Sequence, residues 1–404
     1  MVFARMNQGS GERFPRNLFV DVSVIARRDA GTGIQRVVRS LWCQLRAVDS
    51  DSMNVIPVAG TRRGGYRVIR NDFLERPLSR LPLPFGKARM RPKSGDIFLG
   101  LDLAAHIIPY RRSDLLRWRR AGVSLAFILY DMLPIQHPEW FGVSMRTKFA
   151  QWLDIVGRQA DHVICISKSV ADDFREWLTA AVTKRAERPA IAVMRLGAFI
   201  RSTESSGGMP LDAQDRLAWA RNNRTTLMVG TIEPRKGYDQ ALAAFEHLWN
   251  ERQRSDATLL IVGRPGWETE ALQHRLRSHP EVGRRLCWIE NASDEYLEKL
   301  YSACSGLLLT SRGEGFGLPL IEAAVHGKPI LARDMTVFRE VAPSGVAFFA
   351  GDDSVCLAEA MLSWLDGPVV IPASVDLNGW DVTAGDLLAA LDMQIDAGWP
   401  ANMR

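Results

Sequence analysis

The sequence predicts an α/β protein built from two doubly wound, parallel-sheet domains that face each other across a cleft. Three observations carry this. Short apolar runs of strand length alternate with amphipathic helical patterns through most of the 404 residues, as in parallel sheets covered on both faces. The alternation breaks once, over 201–224, where Ser202-Thr203-Glu204-Ser205-Ser206-Gly207-Gly208 has the composition of a flexible linker. A second alternating series follows. Ligands of such sheets bind outside the carboxyl ends of the strands, so two sheets in series leave a cleft there.

In the first half the expected strands are Leu18–Ile25, Asn54–Val58, Asp96–Leu101, Val123–Tyr130, His162–Ser167 and Ala190–Leu196. Ile34, Val37, Val38, Leu41, Leu45 and Val48 recur at helical spacing after the first strand, a core-packing stripe. In the second half the strands are Thr226–Val229, Thr258–Val262, Leu286–Ile289, Leu307–Thr310 and Pro329–Ala332. The domains run over 1–200 and 225–375, with 201–224 as linker and 376–404, helical over Trp380–Ala397, as a C-terminal segment.

The bulk numbers exclude several classes. Hydrophobic content of 47% and charged content of 24% are those of a globular protein. There is no apolar run of about 18 residues, the length of a membrane span, and the N-terminus lacks the apolar core of a signal peptide. The five cysteines are scattered, which argues against a disulfide frame or zinc site and fits a reducing cytoplasm. A net charge of +5 suits an anionic substrate or membrane surface and does not imply nucleic-acid binding.

Four segments carry candidate chemistry. In Asp29-Ala30-Gly31-Thr32-Gly33-Ile34-Gln35-Arg36 the glycines permit close backbone approach to a ligand at a helix start, or simply begin the helix. Arg36 stands where a dinucleotide fingerprint needs its third glycine, which counts against a dehydrogenase. Tyr130-Asp131 ends a buried strand, and His137 follows as either a site residue or a packed one. The run Val229-Gly230-Thr231-Ile232-Glu233-Pro234-Arg235-Lys236-Gly237 takes a strand into a loop with adjacent cations, the charge a diphosphate needs. Last, Thr310-Ser311-Arg312-Gly313-Glu314-Gly315-Phe316-Gly317-Leu318-Pro319 leads to Glu322, two carboxylates separated by seven residues. Pro319 suits a first helical turn, so Glu314 belongs to a turn and Glu322 to the helix. Carboxylates accept from hydroxyls while a helix start meets phosphate, and a sugar nucleotide carries both.

These motifs resemble those of the retaining glycosyltransferases of family 4, the large two-domain family that includes bacterial mannosyltransferases and sucrose synthases. The Glu314–Glu322 pair with Gly-Phe-Gly and Pro, the Glu233-Pro234-Arg235-Lys236-Gly237 segment and the later Gly327-Lys328-Pro329-Ile330 carry the match, strong over 225–345 and looser before 200. The resemblance implies two Rossmann-like domains in the GT-B arrangement, with the last helix returning to the N-terminal domain. It implies a hexosyl transfer, mannosyl as first guess, from a nucleoside-diphosphate sugar such as GDP-mannose to a saccharide or lipid-linked acceptor in surface polysaccharide assembly, with no metal or other cofactor. Glu314, Arg235, Lys236 and Asp131 would be catalytic. Gly33, Gly263, Arg264, Glu290, Phe316, Gly317, Leu318 and Glu322 would bind the donor, Glu322 through its ribose. Tyr130 and His137 would contact sugar or acceptor. Two positions depart from the pattern: Thr231 where many members have Arg, and Tyr130 where they have His. A nucleotide-sugar hydrolase, an epimerase or a non-catalytic binding protein is the alternative. The basic stretch Arg111–Arg120 adds a further expectation, a peripheral contact with the inner face of the membrane, against the plainer reading of a solvated helix.

Overall fold

A computed structural model describes residues 15–48, 53–75, 88–181, 188–197, 207–373 and 379–391. The N-terminal sheet comprises β1 (Arg16–Asp21), β2 (Met53–Thr61), β3 (Gly65–Val68), β4 (Ile97–Gly100), β5 (Ser124–Leu129), β6 (His162–Cys165) and β7 (Ala190–Val193). The C-terminal sheet comprises β8 (Arg224–Val229), β9 (Ala257–Val262), β10 (Leu286–Ile289), β11 (Gly306–Leu309), β12 (Ile330–Arg333) and β13 (Ala347–Phe349). Their spatial orders are β3-β2-β1-β4-β5-β6-β7 and β10-β9-β8-β11-β12-β13. Both show doubly wound order, with reversal points between β1 and β4 and between β8 and β11. All pairings are parallel except the β2–β3 hairpin, in which Thr61 faces Gly65. Central strands such as β4 and β11 are buried along their whole length, as parallel strands covered on both faces must be.

β1 ends sooner than its apolar run predicts. The carboxylate of Asp102 accepts the N–H groups of Val24 and Ile25 at 2.8 and 2.7 Å, which turns these residues out of the sheet. Val22 and Ile25 still reach the core from that turn.

The linker expected at 201–224 is corrected in its second part. The helix Ala213–Asn222 places Ala213, Leu217 and Ala220 in one core with Tyr296, Leu300 and Ala303, so the second domain begins before β8. Residues 201–206 lie outside the described ones. The expected C-terminal crossover is present. Trp380, Ala384, Leu387 and Leu388 of the helix Trp380–Ala390 join the N-terminal core with Val37 and Leu41. Asp386 fixes this helix through a two-pronged pair with Arg195 at 2.8 and 2.9 Å.

The helix Arg112–Arg120 follows the plainer reading: Leu115 and Trp118 are buried, and Arg112, Arg117 and Arg120 point outward. Among the described residues no helix is long and apolar enough to cross a membrane.

Candidate active site

The two expected catalytic loops meet because β8 and β11 are neighbours at the reversal point of the C-terminal sheet. After β8 the chain makes a short 3-10 turn, Pro234–Lys236, and leaves it through Gly237 at φ +67°. Glycine adopts this left-handed backbone without penalty. A Cβ here would also overlap the carbonyl of Thr310. Thr310 in turn donates from Oγ1 to the carbonyl of Lys236 at 2.8 Å, so the ends of the two strands are stitched together.

Glu314 lies in the loop after β11, directly against the cations. Arg235 donates from Nη1 to its Oε2 at 2.9 Å, Ser311 donates from Oγ to Oε1 at 2.7 Å, and Lys236 pairs with Oε1. Arg235 also donates to Oε2 of Glu233 at 2.8 Å and to the carbonyl of Gly313 at 2.9 Å. Burial alone would raise the Glu314 carboxyl. Lys236, then Arg235, overcome it and hold the group at about 2, ionised at any ordinary pH. Asp131 approaches from the N-terminal domain. Burial pushes its carboxyl up, the nearby Arg235 opposes this, and its Oδ1 accepts the N–H of Leu133 at 3.1 Å. Glu233 and Ser311 are members of this cluster that the sequence reading did not assign. Glu233 was visible as the residue two before Arg235, but nothing in its type distinguished it from a solvated loop acid.

The helix Leu318–Val325 starts next to the cluster after Gly317, with Pro319 in its first turn as expected. Phe316 and Leu318 pack against the N-terminal core, so the loop that carries Glu314 is also a contact between domains. Gly315 makes that contact possible. Its carbonyl accepts from Ser167 Oγ at 2.8 Å, and a Cβ on it would overlap the carbonyl of Tyr130.

Several expected site residues have other partners. The Tyr130 phenol is a correction: it is 3% exposed and donates to the carbonyl of Leu101 at 2.6 Å, so its hydroxyl is spent within the N-terminal core. His137 stacks on Trp140 with ring centres 4.0 Å apart and stands 3.2 Å from Glu139. Arg264 reaches across to the N-terminal domain. It donates to the carbonyl of Ala30 at 2.6 Å and so bridges the domains beside the glycine loop. Gly263 is required by the fold itself, since a Cβ there would overlap the carbonyl of Gly230. Glu290 accepts from Arg277 at 2.9 Å, and Arg277 lies over the Trp288 ring. Gly33 starts its helix behind Thr32, whose Oγ1 accepts the Gln35 N–H at 3.3 Å, and it has open space on its Cβ side. Glu322 is buried, accepts from Tyr301 Oη at 2.7 Å and pairs with Arg36 at 2.6 Å, so neither oxygen is open to ribose in this arrangement. Trp267 donates to the carbonyl of Trp140 at 2.9 Å, again a bridge between domains.

Residues 212–376 match the family Glycosyl transferases group 1. The chain is 38% identical over 363 residues to the serotype-specific mannosyltransferase WbdA of Escherichia coli, covering 89% of this chain and 42% of that protein. It is 35% identical over 136 residues to the O-antigen chain mannosyltransferase B of Escherichia coli, covering 33% of this chain and 34% of that protein. The chain thus spans well under half the length of these relatives. Among solved structures, HepE of Anabaena in complex with UDP and glucose superposes with a TM-score of 0.63 at 17% identity, over 94% of this chain and 100% of that one. Sucrose-phosphate synthase of Thermosynechococcus elongatus gives 0.60 at 16% identity, over 93% and 99%. The chain therefore has the GT-B fold, and its residues 212–376 match the glycosyl transferases group 1 family.

Proposed function

We propose that the protein transfers a hexosyl group from a nucleoside-diphosphate sugar to a saccharide or lipid-linked saccharide, with retention of anomeric configuration. Mannose is the first candidate sugar and GDP-mannose the first candidate donor. The observation that carries most weight is the Glu314 carboxylate set between Lys236, Arg235 and Ser311 at the reversal point of the C-terminal sheet. The two cations sit where a departing diphosphate would develop charge, and the start of the helix Leu318–Val325 adds its free N–H groups. Glu314, already ionised and fixed by three donors, can accept from hydroxyls of the transferred sugar and hold its ring. Asp131 faces the same space from the acceptor side. The similarity to mannosyltransferases, one of them acting on O-antigen chains, supports mannose and a place in polysaccharide assembly. No disulfide joins the five cysteines, and this reading puts the work on the cytoplasmic side, at the inner face of the membrane when the acceptor is lipid-linked.

The charge of the diphosphate can be offset by Arg235, Lys236 and the helix start, so no metal is required on this reading. Turnover should survive excess EDTA and gain little from Mg²⁺ or Mn²⁺; activity lost on chelation and restored by one ion would refute that part. The donor itself is found by thermal shift against GDP-, UDP- and dTDP-sugars, since a ligand at about 100 times its dissociation constant adds about 2.7 kcal/mol of stability. A protein that binds a nucleotide sugar but never releases nucleoside diphosphate would be a binding protein. That rival draws on Tyr130 standing in the place of a sugar-contacting histidine.

A further inference from the structure

Arg36 crosses the cleft. It lies in the first turn of the helix Gly33–Leu45 of the N-terminal domain, and its Nη2 stands 2.6 Å from Oε1 of Glu322 in the C-terminal domain. Glu322 is 3% exposed, and its other oxygen accepts from Tyr301. Asp294, at the start of the helix Asp294–Ala303, lies within electrostatic reach of the same guanidinium. The loop before Arg36 is held from the same side by Arg264, which donates to the Ala30 carbonyl. Both contacts bind the glycine loop to the nucleotide-binding domain and require the two domains to be close.

A carboxylate that receives ribose hydroxyls must offer them an oxygen. A guanidinium already bound there has to leave first. The two partners are not equally mobile. Glu322 is enclosed in the C-terminal core beside Tyr301, whereas the Arg36 side chain is 19% exposed at the cleft. Val37 and Val38 anchor the helix in the N-terminal core. Arg36 can therefore swing out with its helix in place, and Glu322 cannot follow.

We propose that Arg36 is a built-in competitor of the ribose of the donor. It neutralises Glu322 and ties the domains together; ribose hydroxyls displace it, and displacement loosens that tie. This rests on the reading of Glu322 as the ribose-binding carboxylate. A ligand that needs the minor form of a two-state site shows a dissociation constant raised by the reciprocal of that form's population. If the pair is formed about nine-tenths of the time, removing Arg36 strengthens nucleotide binding about tenfold.

The test is calorimetric titration of GDP, UDP and their 2′-deoxy forms into the whole protein, its Arg36→Met and Arg36→Gln variants, and Glu322→Gln. Circular dichroism melts establish that each variant is folded, and the two Arg36 substitutions guard against failure of either. The expected result is tighter binding of the ribonucleotide by both Arg36 variants, with a smaller gain for the 2′-deoxy form. Unchanged or weaker ribonucleotide binding in a folded Arg36 variant overturns the proposal. Failure of the underlying reading looks different: Glu322→Gln would bind like the parent, and 2′-deoxy and ribo forms would bind alike in every variant. Absence of binding by either nucleotide in all four proteins would overturn both.

Discussion

The stabilising effect of Glu314 and the role in transfer proposed for it separate by experiment. Its carboxyl is held at about 2, below its ordinary 4.5, so its contribution to stability is complete above pH 4.5 and is lost as pH falls through about 2. Glu314→Gln should abolish turnover, because the oriented charge matters most in the transition state. It should also cost about 1.5–3 kcal/mol of stability, the worth of hydrogen bonds to a charged group. Its melting temperature should lack the part of the acid-limb decline that Glu314 gives the parent between pH 4.5 and 2. Near-normal kcat in the variant would remove Glu314 from the site. Lys236→Ala removes one charge-assisted bond of similar worth and should lower kcat/KM and diphosphate affinity about 10- to 150-fold. Titration with nucleoside diphosphate checks this, and unchanged affinity would place the lysine outside the phosphate site. The cluster was legible in the sequence to the extent that the family resemblance assigns Arg235, Lys236 and Glu314 to one site; that their strands are neighbours comes from the fold. Ser311 and Glu233 were not, because a hydroxyl and a loop acid acquire their role only from the contact.

The elements were legible where apolar periodicity was uninterrupted, as in β4, β5, β9 and β11. They were misread where a buried polar group redirects the chain. Asp102 does this after β1, and it sits beside Asp21, which accepts from Tyr66 Oη at 2.6 Å and from Ser23. Burial raises both carboxyls, Asp21 to about 6 and Asp102 to about 7, with Asp21 adding to the rise at Asp102. A raised carboxyl binds its proton more tightly in the folded chain, so stability falls as pH rises from about 4 towards 7. Asp102→Asn keeps an acceptor for the Val24 and Ile25 N–H groups and removes the charge. The variant should lose much of that decline in melting temperature and gain on the parent at pH 8. A parallel decline in both proteins would show that Asp102 does not titrate in this range.

At the scale of the whole molecule, the domains touch through groups that no apolar pattern announces: the Gly315 carbonyl, the Arg264 guanidinium and the Glu340 carboxylate. Glu340 accepts the N–H groups of Lys168 and Ser169 at 2.6 and 2.8 Å, at the start of the helix Lys168–Ala181. The two-domain plan and the returning C-terminal helix were legible from composition and family resemblance. The contacts were not, since each joins residues far apart in sequence. Gly315→Val should force the Phe316 loop from the N-terminal domain, because its side chain cannot share space with the Tyr130 carbonyl. Small-angle scattering should show a larger radius of gyration, and kcat should fall with each domain still folded. An unchanged radius would mean that the loop yields locally instead.

The proposed activity is transfer from a nucleotide sugar through the Lys236–Arg235–Glu314 cluster with retention. Its most direct test follows the anomeric proton of the product by NMR, with purified protein, GDP-mannose and a mannoside acceptor in the presence of EDTA. The predicted result is an α-linked product with release of GDP, absent in Glu314→Gln. A β-linked product from the parent protein, or equal turnover in the two proteins, would contradict it.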